Sequence, residues 1–179
     1  MSVTPVRRRA RQWLLFVHVV VSLGWMGGGA ANVVLAVTAV VTSSAEVQRV
    51  CYYLINRIDF ALVIPLAFSA LASGVVISLA TKWGLFRYWW VIAKLTLTVG
   101  VIVFSTFGVG VWVEESILAT VAGDPDNPAA LPLIYGAGAN IVAFLFMTWA
   151  SIVKPWGKVP RAAVRAGASG VRSTGGPAR

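Results

Sequence analysis

Residues 13–37, "WLLFVHVVVSLGWMGGGAANVVLAV", decide the fold. The stretch is apolar and exceeds the roughly 20 residues that a helix needs to cross a bilayer. It also holds His18, the one histidine of the chain, then Gly27, Gly28 and Gly29 in a row, and Asn32. Apolar residues continue to about position 41, far past the h-region of a secretory signal. The basic "VRRRARQ" before it therefore reads as the flank of a retained transmembrane helix.

Three more apolar runs, about 58–80, 88–113 and 131–153, reach the same length. Composition agrees. Of 179 residues, 58% are hydrophobic and 12% charged, about half the charged share of a soluble domain. The expected fold is all-α: a polytopic membrane protein with an antiparallel four-transmembrane-helix bundle. It divides into a basic N-terminal segment (1–12), a transmembrane domain (13–155) and a basic, disordered tail (156–179).

The connections are chemically plain. In "TSSAEVQR", Ser43 with Glu46 three residues on forms a capping box. Val47, Val50, Cys51, Leu54, Ile55 and Ile58 then repeat at helical spacing. The second helix should start near Ser44, outside the hydrocarbon, and kink at Pro65. In "DPDNP", Asn127 and Pro128 suit the start of the fourth helix, and Pro155 helps to end it.

Charge sets the orientation. Arg7, Arg8, Arg9 and Arg11 precede the first span. Lys82, Arg87 and Lys94 surround the second connection, and Lys154, Lys158, Arg161, Arg165, Arg172 and Arg179 follow the fourth span. None of these segments holds an acid; all six acids fall on the other side, with Arg49 and Arg57. Both termini are expected in the cytoplasm, in a cell (inner) membrane, with the basic tails near anionic lipid. Trp13, Trp83, Trp89, Trp90, Trp149 and Trp156 form an aromatic belt on that side. Tyr52, Tyr53 and Tyr135 read as interface anchors, and Met26 and Met147 as core. Nucleic acid is not an expected partner despite the net charge of +9, because no aromatic residue or motif is interleaved with the tail charges. One cysteine, Cys51, excludes an internal disulfide, and one histidine excludes a site with two imidazoles.

On a helix turning about 100° per residue, His18, Ser22, Trp25, Gly29 and Asn32 share one face. In lipid such a stripe must face other helices. Lys94, Thr98, Ser105, Gly108 and Trp112 share a face of the third span. His18 and Lys94 each lie about five residues, roughly 8 Å, inside a belt tryptophan. They are expected to line one inter-helix space. A second polar cluster of Asn32, Asp59 and Asn140 is expected near the opposite surface. Each group also has a plain reading: a satisfied core histidine, a lysine whose stem snorkels to the interface, and amides tying helix ends together.

The pieces "FVHVVVSLGWMGG" and "SGVVISLATKWGLFRYWWVIAKLTLTV" resemble uncharacterised bacterial four-helix membrane proteins that form a domain-of-unknown-function family. The likeness runs from about residue 13 to 153. More distantly, the same pieces are similar to copper-resistance protein D and to the four-helix membrane protoporphyrinogen oxidase. In that oxidase family a first-helix histidine and a third-helix lysine matter, and the matching positions here are His18 and Lys94. The resemblance makes haem a candidate cofactor, with His18 as its single ligand or as a proton-transfer group and Lys94 as a cationic partner; the cofactor itself stays open. The family's further histidine is missing from "KLTLTVGVIVFSTF", which excludes a bis-histidine haem within one chain.

Three readings follow. The first is a structural or accessory membrane subunit with a homo-oligomer or membrane-complex partner. The second is a haem- or tetrapyrrole-linked redox protein using His18 and Lys94. The third is a carrier or channel component with an outer vestibule at Asn32, Asp59 and Asn140. Enzymatic activity and substrate stay open at this point.

Overall fold

Four long helices carry the chain in the computed structural model, whose described residues are 8–81, 84–124 and 127–159. They are α1 (Arg8–Val41), α2 (Ala45–Ala80), α3 (Trp89–Ala122) and α4 (Ala130–Val153). All four are long and apolar enough to cross a membrane. Among the described residues there is no strand, only an isolated antiparallel bridge between Tyr88 and Lys158. The fold is all-α, as the hydropathy pattern predicts.

Local chemistry sets the helix ends. Ser44, not Ser43, caps α2: its backbone is extended and its hydroxyl accepts the Val47 N–H at 3.4 Å. α1 is still winding at Thr42, whose N–H bonds Thr38 O, and Thr42 Oγ1 takes the Ser44 N–H. The turn into α2 is therefore one residue later than the spacing predicts, and Glu46 falls one short of the capping-box position. Asn127 shapes the turn ahead of α4, its Oδ1 accepting the Ala129 N–H at 3.1 Å, and the helix itself starts at Ala130, later than the expected start at Asn127 and Pro128. α4 stops at Val153, with Lys154 left-handed (φ 51°) ahead of Pro155.

Two of the helices widen on the way. α2 makes a π turn over Asp59–Val63 and α3 over Ser105–Val109. The first lies just ahead of Pro65. Proline lacks an N–H and crowds the carbonyl four residues back, here Ala61, inside the widened turn. The disturbance expected as a kink thus takes the form of a loosened backbone. The second π turn has no proline, and the hydropathy pattern gives no sign of it.

The helices form a ring. α1 packs on α2 and α4, α3 packs on α2 and α4, and the backbones of the two diagonal pairs do not approach. Small residues let neighbours close in: a Cβ at Gly28 would meet Val63 at 2.9 Å, and one at Gly136 would meet the Trp112 ring at 2.8 Å. Two apolar clusters fill the centre. One includes Ala36, Tyr52, Ile55, Val113 and Leu133; the other includes Trp25, Val63, Ala67, Val101 and Phe144.

Two aromatic expectations change. Tyr52 is no interface anchor: it is 0% exposed, because it shares the core face of α2 with Cys51 and Ile55, and its hydroxyl accepts from Asn127 Nδ2 at 3.3 Å. Trp90 is 7% exposed and turned inward, with the Lys94 ammonium 4.7 Å above its ring. Trp13, Trp89, Trp149, Trp156, Tyr53 and Tyr135 are exposed, and Met147 is buried.

The start of the basic tail is held. The Val159 N–H donates to Arg87 O at 3.0 Å, and the Trp89 N–H to Gly157 O at 3.4 Å. Residues 1–7 and 160–179, with Lys82, Trp83 and Asp126, lie outside the described residues, and so do the expectations placed on them.

Candidate functional site: polar ties between neighbouring helices

The stripe on α1 faces protein. Trp25 is 4% and Asn32 7% exposed, and none of His18, Ser22 and Gly29 is exposed. A lipid-facing imidazole or amide would lack partners, at about 1–3 kcal/mol each. Trp25 instead meets Phe144 of α4 edge to face at 4.4 Å, and a Cβ at Gly29 would touch Ile141 of α4.

His18 and Lys94 each hold a serine. His18 Nδ1 lies 2.9 Å from Ser73 Oγ on α2. The ring packs over Gly74, where a Cβ would come within 3.2 Å of Cε1. Lys94 Nζ donates to Ser151 Oγ on α4 at 2.8 Å. His18 near the start of α1 reaches the end of α2, and Lys94 near the start of α3 reaches the end of α4, so both lie at the same end of the ring. No hydrogen bond joins them. The expected pair shares an end of the ring but sits on diagonal helices with separate partners.

The second expected cluster is divided likewise. Asn32 Nδ2 donates to Asp59 Oδ1 on α2 at 2.7 Å, and Asn140 Nδ2 donates to Ser105 Oγ on α3 at 2.9 Å. Asp59 and Ser105 are the first residues of the two π turns. On every helix the polar residue falls between a member of one apolar cluster and a member of the other: Trp25 and Ala36 around Asn32, Ile55 and Val63 around Asp59, Val101 and Val109 around Ser105, Leu133 and Phe144 around Asn140. The four residues form one polar layer across the ring.

Sequence reasoning missed Ser73 and Ser151 as partners, and a buried group at the Tyr52 end. There Ser116, fully buried, lies 3.5 Å from Asn127 Oδ1, and Asn127 also reaches Tyr52. The spacing of Tyr52 with Cys51 and Ile55 is a signal that could have found it.

This donor set fits a haem poorly. The one imidazole is engaged with Ser73 and packed on the backbone at Gly74, and the thioether of Met147 accepts from Thr98 at 3.2 Å. Among the described residues no three His, Cys, Asp or Glu side chains gather as a metal site. Compared with protein-family models, with curated proteins and with solved structures, the chain finds no match. The functional reading therefore rests on the residues themselves.

Proposed function

We propose that this chain is a multi-pass inner-membrane protein with a structural or accessory role, built as an antiparallel bundle with both termini cytoplasmic. One observation carries the reading. The polar groups inside the ring are spent on neighbouring helices: His18 on Ser73, Asn32 on Asp59, Lys94 on Ser151 and Asn140 on Ser105. That is how polar side chains hold transmembrane helices together. Alternate directions fit the same contacts, since Gln48 near the start of α2 reaches Ala39 O near the end of α1, while His18 near the start of α1 reaches Ser73 near the end of α2. The bilayer, anionic lipid at the basic termini, and a second membrane chain are the partners this reading implies.

A visible spectrum of the purified protein, before and after addition of haem, tests it. The structural reading expects no bound chromophore and no change in the His18→Ala variant. A haem band present in the parent protein and lost in His18→Ala would overturn it in favour of the tetrapyrrole reading. Reporter fusions at the two termini check the topology; opposite sides for the two ends would break it.

A further inference from the structure

One of these ties leaves a group over. Asn32 is 7% exposed, and its Nδ2 donates to Asp59, but its Oδ1 is buried with no donor. Asp59 is a half-buried carboxylate part-way along a helix of a chain read as spanning a membrane, and among the described residues its side chain is met by the Asn32 amide and by no cationic side chain. The amide turns its nitrogen, not its oxygen, to Asp59, so the pair keeps a buried oxygen without a donor and a carboxylate without a cationic side chain, two acceptors that a positive group beside the pair would satisfy.

We propose that Asn32 and Asp59 form a binding site for a monovalent hard cation of the sodium class. The ligands suit it: an amide oxygen and a carboxylate, at a helix turn whose backbone is widened. Alkali cations in membrane proteins are held by such carboxylates and by carbonyls of irregular helix turns. Charge selects the valence. One carboxylate neutralises one monovalent ion, whereas a divalent ion would need a second acid, and no three-residue acidic or metal-ligating group exists among the described residues. Position fits as well. The site lies in the polar layer between the two apolar clusters, and Asn140 and Ser105 complete that layer from α4 and α3. This goes beyond a structural role, which needs no ligand at the pair.

The test uses the full chain in mild detergent, with NaCl titrated against choline chloride at constant ionic strength. Sodium should raise the unfolding midpoint saturably, by about 3–6 °C at ten times its dissociation constant, and choline should not. Asp59→Asn should abolish the saturable rise, and Asn32→Ala should weaken the apparent affinity at least about tenfold, the loss of one good ligand interaction. No saturable sodium response, or the same response in Asp59→Asn, overturns the proposal and leaves a bridging water as the occupant. Should the variants not fold, the infrared spectrum of the parent decides. An ionised carboxylate band that moves with sodium supports the site. A protonated carboxyl that ignores sodium overturns it.

Discussion

The α1–α2 and α3–α4 interfaces are built alike and charged differently. Each has a titratable residue tied to a serine at one end, His18 to Ser73 and Lys94 to Ser151. Each has an asparagine tied to the first residue of a π turn further along, Asn32 to Asp59 and Asn140 to Ser105. In α3–α4 the basic charge sits at the His18 end and the asparagine tie is neutral. In α1–α2 the acidic charge sits in the polar layer. A hydroxyl is an undemanding partner, since it can turn back to its own helix, as Thr106 does to Ile102 O. A carboxylate has no such fallback. The same geometry therefore acts as a tie in one interface and leaves an electrostatic demand in the other.

The asparagines offer the largest test of that difference. Asn32→Leu strips Asp59 of its donor and should cost about 2–3 kcal/mol, as for a hydrogen bond to a charged group. Asn140→Leu should cost about 0.6 kcal/mol, the average for an interhelical hydrogen bond in a membrane protein. Unfolding of both variants in mixed detergent measures the gap. Equal costs would mean that Asp59 carries no charge worth stabilising, and the contrast would collapse.

Next in size come the glycines that set how closely each pair approaches. Gly136→Ala drives a methyl into the Trp112 ring with Val109 at 3.1 Å behind it, and should cost about 2 kcal/mol as overpacking. Gly28→Ala meets Val63 Cγ2 at 2.9 Å and Leu62 at 3.5 Å; side chains that can change rotamer should hold the cost nearer to about 1 kcal/mol. Gly27, with open space at its Cβ, serves as the control, and Gly27→Ala should be neutral or slightly stabilising. A loss at Gly27 as large as at Gly28 would show that the surface of α1 there is covered by another chain.

Much of this was legible in the sequence because lipid imposes a simple code. Long apolar runs give the helices, and a polar stripe must turn inward, which placed His18, Trp25 and Asn32 correctly. Pairing was harder. Ser73 and Ser151 are indistinguishable in sequence from Ser69 and Ser78: all four hydroxyls bond back to their own helix, and only the first two also meet a side chain of another helix. Hydropathy carries no signal for the second π turn, so the separation of Asn140 from Asn32 and Asp59 could not be read. Residue type suggests the interface for Tyr52 and Trp90, whereas their helical phase points to the core.

The smallest effect concerns the serine ties and bears on whether the His18 end is a site at all. Charge alone suggests that Ser151 matters more to Lys94 than Ser73 does to His18, because hydrogen bonds to ions are the stronger ones. The surroundings argue the reverse. Lys94 also has the Trp90 ring beneath it and a stem long enough to reach the interface. His18 is wedged over Gly74, with a ring too short to reach another partner at the interface. Double-mutant cycles for His18–Ser73 and Lys94–Ser151 should therefore both give about 0.6 kcal/mol, with the histidine pair equal to or larger than the lysine pair. A coupling above about 2 kcal/mol at either pair exceeds the largest values of about 1.7 kcal/mol measured for such ties in a membrane bundle. It would mean that the pair is held by more than its own hydrogen bond, and would return His18 and Lys94 to the status of a shared site.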